Sequence, residues 1–276
     1  MKMKQTLYIT TIIGFSVLTA CSSSSIEEKK EPNTDSTNVS VVADTAKSDT
    51  IKIHGKIEFT AADGLPVTAD SYEVLPGEKY ILLCHQADFS RGEYIETAKR
   101  LNQLGYNCLA IDQRSGNTCN DILNETAQRA KEKKLKTEFA DAQQDIEAAI
   151  NYIHNHSGKK IIVLGSSYSA ALLLKIAKAN DKLSAIALFS PGEFLNGINL
   201  QKESEGISIP VFATSSKKES KDVAKLLTAI KPENKTIFVP SAEGDHGSKV
   251  LWPTAPDKDE YWNALESFLK KIESTL

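Results

Sequence analysis

Residues 161–174 read IIVLGSSYSAALLL, an apolar run followed by small and polar residues and then by a second apolar run. The first run is typical of a strand that is buried on both faces, and the second predicts a buried helix. A strand that turns sharply into a helix projects the side chain at the centre of the turn outward, and it needs small residues on either side because backbone and helix approach closely there. Gly165 and Ser169 stand two positions before and after Ser167, so Ser167 is the predicted central residue of the turn.

Short apolar runs and helical patterns alternate along the rest of the chain. The runs predict strands over residues 80–84, 107–111, 161–164, 185–189, 211–214 and 236–239, after an antiparallel pair over 53–60 and 66–72. Apolar residues at spacings of three and four predict helices over residues 93–104, 138–154, 169–179, 222–230 and 258–272. The alternation predicts an α/β fold with a mostly parallel sheet covered by helices on both faces. In such a sheet, ligands bind beyond the carboxyl ends of the strands.

The first twenty residues have the pattern of a processing signal. Lys2 and Lys4 precede an apolar stretch over residues 7–17, and Leu-Thr-Ala-Cys follows at residues 18–21. The apolar stretch is shorter than the roughly twenty residues that a helix needs to cross a bilayer, which favours a cleaved signal peptide over residues 1–20. Leu-Thr-Ala-Cys resembles the bacterial lipobox, which implies that Cys21 is the lipidated new N-terminus. An ordinary signal or an uncleaved anchor is the alternative.

A composition change separates the amino-terminal region from the rest of the chain. Residues 22–50 are rich in Ser, Thr, Asp, Glu and Lys and contain no aromatic residue, so we expect residues 21–50 to form a disordered tether behind the lipid. Residues 51–276 are long enough to bury one substantial core and are predicted to form a single domain. The resulting expectation is an exported lipoprotein anchored in the cell envelope, in the outer membrane and facing the periplasm or the cell surface, and its oligomeric state stays open.

Charge and cysteine content exclude several classes of partner. The chain has 33 basic and 36 acidic residues in an interspersed order, which gives no electrostatic footprint for nucleic acid. Beyond Cys21, the cysteines are Cys84, Cys108 and Cys119. Cys84 and Cys108 fall inside predicted strands and are expected to be buried small apolar residues, not a disulfide. The cysteine and histidine spacings do not match a zinc site, and we expect no metal and no cofactor.

The turn around Ser167 resembles the Gly-x-Ser-x-Gly nucleophile elbow of the α/β-hydrolase superfamily, with Ser169 in the position of the second glycine. The resemblance covers nearly all of residues 51–276 and is nearest to the dienelactone-hydrolase-like esterases, which themselves use a cysteine nucleophile. It implies the α/β-hydrolase fold and a serine hydrolase that cleaves a small-molecule carboxylic ester by acyl transfer, without a cofactor. A peptidase or amidase with the same residues, and a surface binding lipoprotein that has lost activity, are the alternatives.

The resemblance also implies where the general base lies. A serine hydroxyl becomes nucleophilic only when a base lies within hydrogen-bond reach, and in this fold the base comes late in the chain. His246 is the one histidine that follows Ser167, and it lies in a loop after the last predicted strand. His246 is therefore the predicted base.

An acidic residue must orient the imidazole of that base. In the superfamily it follows the strand that corresponds to residues 210–214, and Glu219 stands at the usual spacing from Pro210. Ser216 and Glu219 also have the spacing of a capping box for the following helix. Asp222, and Glu193 after the preceding strand, are the alternative acids.

Two backbone amides are expected to stabilise the negative charge that develops during acyl transfer. The first is the N–H of Tyr168, directly after the nucleophile. The second lies in the loop His85-Gln86-Ala87-Asp88, which looks like the His-Gly loop of the superfamily with glutamine in place of glycine. Gln86 is the predicted donor, and Ala87 is the alternative.

Further residues are predicted to brace the site. Asp112 and Arg114 resemble the Asp-x-Arg-Gly turn of these hydrolases, which implies an internal ion pair beside the site. Phe89, Tyr168 and Trp252 are candidates for an apolar wall.

Two stretches at the predicted carboxyl ends of strands decide what covers the site. Residues 190–208 are too few to form a separate cap domain, and residues 117–136 are predicted to be a polar, helical insertion beside the mouth.

Overall fold

A computed structural model describes residues 53–74, 76 and 78–274 of the chain. The strands within these residues are β1 (Ile53–Thr60), β2 (Pro66–Tyr72), β3 (Tyr80–Cys84), β4 (Asn107–Ile111), β5 (Thr118–Cys119), β6 (Ile122–Leu123), β7 (Ile161–Ser166), β8 (Leu183–Phe189), β9 (Val211–Thr214) and β10 (Lys235–Phe238). The α-helices are α1 (Ile95–Gln103), α2 (Glu125–Glu132), α3 (Gln143–Ser157), α4 (Tyr168–Ala177), α5 (Leu200–Glu203), α6 (Ser220–Leu226) and α7 (Lys258–Glu273).

Eight of these strands form one sheet in the order β1-β2-β4-β3-β7-β8-β9-β10. β1 pairs antiparallel with β2, and β2 pairs antiparallel with β4. Every later pairing, from β4 with β3 to β9 with β10, is parallel. The predicted antiparallel entry and mostly parallel sheet are confirmed. The carboxyl ends of β3, β7, β8 and β9 therefore meet at one edge, where the chemistry was expected.

Alternate residues of the central strands face two separate cores. On β3, Ile81 and Leu83 belong to the core that contains α1 and α7, whereas Leu82 and Cys84 belong to the core that contains α3 and α4. A strand buried on both faces needs apolar residues at every position, which explains the unbroken apolar runs. The prediction of helices on both faces of the sheet is confirmed.

The insertion over residues 117–136 is only partly helical. β5 and β6 form a separate two-stranded hairpin, whose turn residues Asn120 and Asp121 both have positive φ. The side chain of Asn124 then accepts a hydrogen bond from the amide of Ala127 and caps α2. The prediction of a helical insertion was wrong for its first half, because Asn and Asp tolerate the left-handed region that a tight hairpin requires.

The segment between β8 and β9 contains only α5 among its described helices. It is too short to build a separate cap domain, as the sequence predicted. Cys84, Cys108 and Cys119 are buried and unpaired, so the interpretation of Cys84 and Cys108 as buried apolar residues is confirmed. None of the helices in the described ranges is long and apolar enough to span a membrane.

Candidate active site

Ser167 lies at the sharp turn between β7 and α4. Its backbone has φ 57° and ψ −119°, a conformation that costs a residue with a side chain about 1–3 kcal/mol. A Cβ atom at Gly165 would lie 2.8 Å from the amide nitrogen of Ala170 and 2.9 Å from the carbonyl carbon of Ser169. Only glycine leaves room for this approach of the helix to the strand, so the turn has the geometry that its small residues predicted.

One chain of hydrogen bonds joins three side chains that are distant in the sequence. Oγ of Ser167 lies 2.8 Å from Nε2 of His246, and Nδ1 of His246 lies 2.5 Å from Oε1 of Glu219. A carboxylate only accepts hydrogen bonds, so Nδ1 carries the proton that faces Glu219, and Nε2 accepts from the Ser167 hydroxyl. The structure thus brings together the predicted nucleophile, base and acid.

The two carboxylate oxygens of Glu219 accept hydrogen bonds from different partners. Oε2 accepts from the hydroxyl of Ser190 at 2.9 Å and from the hydroxyl and amide of Ser216 at 2.8 and 3.2 Å, which leaves Oε1 for His246. Partial burial alone would raise the pKa of Glu219, but the hydrogen bonds from His246 and Ser216 outweigh it and lower this pKa to about 2. The bond to the Ser216 amide lies within the turn before α6. The predicted capping box was wrong, because Glu219 is itself the N-cap residue of α6 and no side chain caps that helix.

The two alternative acids do not contact His246. Asp222 is exposed on α6, and Oε2 of Glu193 accepts the amide of Leu200 at 3.1 Å. Glu219 is therefore the acidic side chain that the structure places against the imidazole.

The prediction that the amide of Gln86 faces the reacting centre was wrong. This N–H donates to the buried Oε2 of Glu93 at 2.8 Å, a tertiary contact that the sequence pattern does not show. The next amide, of Ala87, has no hydrogen-bond acceptor among the described residues. The same is true of the amide of Tyr168, which lies in the first turn of α4, where helix amides lack intrahelical partners.

The two serines that flank Ser167 in the turn are buried, and their hydroxyls form hydrogen bonds with other groups. The hydroxyl of Ser166 accepts the amide of Ser248 at 2.8 Å. The hydroxyl of Ser169 accepts from the Gln113 amide group at 2.6 Å and donates to the carbonyl of His85 at 2.5 Å. Where the superfamily motif has a second glycine, this chain therefore has a hydroxyl inside a polar network. Of these three serines, only Ser167 bonds to His246.

The aromatic groups near the site differ in part from the predicted wall. Phe89 and Trp252 stack with ring centroids 6.1 Å apart. The side chain of Tyr168 is fully buried and stacks on Phe139 at 4.5 Å, so its expected place in the wall was wrong. Phe194 was not predicted, because it lies in an irregular segment without a pattern. The residue is 37% exposed, and its ring meets the His246 ring edge-on at 6.2 Å.

Asp112 and Arg114 do not pair with each other, and the expectation that they would was wrong. Asp112 pairs with Arg91 at 2.6 Å, whereas Arg114 pairs with Asp145 at 2.7 Å and with Asp63 at 2.6 Å. Both pairs are at least partly buried and involve partners far away in the sequence. These ion pairs connect the end of β4 to the turn before α1 and to the start of α3, and they stabilise the loops around the site.

A groove of about 490 Å³ opens beside Glu219. Its lining is part apolar and part charged, and includes Ser190, Pro191, Phe194, Glu219, Asp222 and Val223. The side chains of His246 and Glu219 are 37% and 31% exposed, so this end of the hydrogen-bonded chain lies at the surface. In the described part of the chain, no group of three or more His, Cys, Asp or Glu side chains is arranged to hold a metal ion.

Comparison with solved structures gives the same architecture. The Pyrococcus furiosus esterase Pf2001 superposes with a TM-score of 0.63 at 17% identity, over 80% of this chain and 93% of that one. The α/β hydrolase GrgF from Penicillium gives 0.61 at 14% identity, over 79% and 98%. A dienelactone hydrolase from Anabaena variabilis gives 0.55 at 12% identity, over 77% and 95%. At these identities the likeness concerns the fold.

Comparison at the level of sequence assigns the family. A search of curated protein sequences found no match. The sequence profile of the family described as serine aminopeptidase, S33 matches residues 76–234, which is more than half of the 276 residues. This match begins before β3 and ends before β10, and so includes the turn at Ser167 and the acid Glu219. The chain therefore belongs to the serine aminopeptidase S33 family of α/β-hydrolases.

Proposed function

We propose that this protein hydrolyses a carboxylic ester by acyl transfer to Ser167, with His246 as general base and Glu219 as its orienting acid. The observation that supports this most directly is the continuous chain of hydrogen bonds from Oγ of Ser167 through the imidazole to Oε1 of Glu219. A serine with an ordinary structural role does not require a base held by a carboxylate at its hydroxyl.

The steps follow from the positions of the atoms. Nε2 of His246 takes the hydroxyl proton while Oγ of Ser167 attacks the ester carbonyl carbon, and the carbonyl oxygen becomes negative. The imidazolium then gives the proton to the departing alcohol, which leaves an acyl-serine. Water attacks this acyl group with His246 again as base, and the acid is released. Glu219 keeps the proton of His246 on Nδ1 and stabilises the imidazolium charge.

The negative oxygen of the tetrahedral intermediate needs two aligned donors. The amide of Tyr168 and the amide of Ala87 are suited to this role, because neither has an acceptor among the described residues. The role predicted for Gln86 passes in this way to its neighbour.

A turnover screen tests the ester assignment. We expect the purified protein to hydrolyse p-nitrophenyl esters and sugar-linked acyl esters faster than aminoacyl p-nitroanilides, measured as kcat/KM at equal enzyme concentration. The family name makes the anilides the necessary comparison. Faster anilide than ester turnover would show a peptidase or amidase with the same residues, and heat-denatured protein serves as the blank.

A fluorophosphonate probe separates an enzyme from a binding protein that has lost activity. The probe reacts covalently with a serine only when a base activates it. We expect stoichiometric labelling of the native protein and none after unfolding. A native protein that neither labels nor turns over any ester would exclude the proposed function.

We also propose that Cys21, which lies outside the described ranges, carries a lipid anchor. The support is the sequence alone, namely the lipobox-like residues 18–21 after a basic and apolar start. Expressed with its leader in a bacterial host, the wild type should partition into the detergent phase of Triton X-114, whereas Cys21→Ala should remain aqueous or unprocessed. Ser22→Ala is the matched control and should behave as the wild type. Equal partitioning of Cys21→Ala and wild type, with the leader removed from both, would refute the anchor.

A further inference from the structure

Glu93 is a buried carboxyl group behind the candidate active site. It belongs to a 3-10 turn, Arg91–Tyr94, that precedes α1, and its side chain is almost completely buried at 1% exposure. Within the described residues it forms no ion pair with Lys or Arg. Burying a carboxyl group without a cationic partner is costly, so its hydrogen bonds must compensate.

Those hydrogen bonds join two loops of the site. Oε2 of Glu93 accepts the amide of Gln86 at 2.8 Å, in the loop after β3. Oε1 accepts the hydroxyl of Ser248 at 2.5 Å, two residues beyond His246. The amide of Ser248 in turn donates to the hydroxyl of Ser166 at 2.8 Å, beside the nucleophile. The side chain of Glu93 thus connects the loop after β3 with the loop that contains His246 and, through Ser248, with the turn at Ser167.

The contact with Gln86 bears on the neighbouring amide of Ala87. The carbonyl of Gln86 and the N–H of Ala87 belong to one planar peptide unit, in which they point in opposite directions. Nδ1 of His85 lies 2.7 Å from that carbonyl, and since Nε2 of His85 accepts the Gln113 amide at 3.0 Å, Nδ1 is the donor. Glu93 holds the amide that precedes this peptide, and His85 holds the carbonyl of the peptide itself.

We propose that Glu93 is a positioning residue that fixes the Ala87 amide relative to Ser167 and His246 by spanning the gap between Gln86 and Ser248. The inference rests on the proposed function, because it concerns the oxyanion donor of that reaction. Glu93 does not contact Ser167 and is not itself a catalytic residue. It acts through the two groups to which its oxygens bond.

The span, and not the charge, is the essential property. Burial raises the pKa of Glu93 to about 7, although the hydrogen bonds from Ser248 and Gln86 oppose the rise. The ionised group accepts from both partners. The neutral acid accepts the Gln86 amide through one oxygen and donates to the Ser248 hydroxyl through the other, so both forms close the same gap.

Three substitutions at this position separate the possible roles. Glu93→Gln has the same length and can bond to both partners, so kcat should stay within about threefold of the wild type. Glu93→Asp keeps the acid but is shorter by one methylene, about 1.5 Å, and Glu93→Ala removes both bonds. A displacement of about 1 Å in a reacting group can cost about a hundredfold in rate, which is the loss of kcat that we expect for both.

The expected loss lies in kcat and not in KM, because an oxyanion donor acts in the transition state. Ester kinetics are normalised to active sites by fluorophosphonate titration and measured below the melting temperature, so that misfolded protein does not count. Glu96→Gln, an exposed carboxyl on α1 that pairs only with Lys99, is the matched control and should be unaffected. If Glu93→Ala does not fold, Glu93→Asp and Ser248→Ala test the same span.

The outcomes decide between distinct explanations. A normal kcat in Glu93→Asp, Glu93→Ala or Ser248→Ala would overturn the positioning role, even if stability falls. Normal turnover of Glu93→Asp together with loss in Glu93→Gln would overturn it in favour of a charge effect on His246. An inactive wild type would instead overturn the proposed function, and with it this inference.

Discussion

Ser167→Ala should abolish fluorophosphonate labelling and lower ester kcat by about 10⁶-fold, to the residual rate left by binding and the oxyanion donors. The reason is that its Oγ is the atom that bonds to Nε2 of His246, and no water can take its place as a covalent acyl carrier. The substitution removes one oxygen from a side chain that is already buried, so the protein should remain folded. Labelling in gel and stopped ester assays with circular dichroism as the folding check give the measurement.

Two other serines provide the controls for that result. Ser166→Ala should still label, because the Ser166 hydroxyl is buried against the amide of Ser248 and has no bond to His246. Ser267→Ala on α7 removes a hydroxyl that bonds only within its own helix and should match the wild type in every assay. Persistent labelling and turnover in folded Ser167→Ala would show that the assignment of the nucleophile is wrong.

Glu219→Gln should lower kcat by about ten-thousandfold while the protein keeps its geometry. Oε2 of Glu219 receives three donors, from Ser190 and Ser216, so the new amide nitrogen is disfavoured at that position and is directed toward His246. Nδ1 must then accept, and the imidazole proton moves to Nε2. In that tautomer His246 cannot take the proton of Ser167, which is why the loss is large.

Stability distinguishes this role from a purely structural one in the turn before α6. Loss of a hydrogen bond in that turn costs about 1 kcal/mol, which thermal unfolding detects as a small fall in Tm without any loss of turnover. Asp222→Asn is the matched control, since Asp222 is an exposed alternative acid on α6, and it should retain normal turnover. Near-normal kcat in Glu219→Gln would leave Glu219 with that structural role alone.

The elements that could be predicted from the sequence are those with a local signature. The apolar run before Gly165 and the small residues around Ser167 predict a strand, a turn and a helix because all three depend on neighbours in the chain. His246 could be located because its position after the last strand leaves little choice. The parallel sheet follows from alternation of runs and helices, which is again a pattern along the chain.

The features that were missed depend on contacts between distant segments. The amide of Gln86 is engaged because a turn carries Glu93 back against the loop, and the partners of Asp112 and Arg114 come from other elements. Which of two adjacent amides faces a reacting centre depends on the rotation of one peptide plane. The residue types at the two positions give almost no information about that rotation. Phe194 lies in a segment without periodicity, so only the folded chain shows that it reaches His246.

The left-handed backbone conformation at Ser167 affects which substitutions selection would retain at this position. Positive φ occurs at Ser167, 57°, and also at Ser190, 51°, where glycine would relieve about 1–3 kcal/mol of strain. Selection for stability alone would favour glycine at position 167, whereas at position 190 the relief of strain is offset by loss of the hydrogen bonds that the Ser190 hydroxyl forms with the Gly247 amide and with Glu219. The two serine hydroxyls bond to His246 and to Glu219, at opposite ends of the same chain of hydrogen bonds. A lineage that keeps serine at position 167 is selected for what its hydroxyl does, against the stability of its own fold.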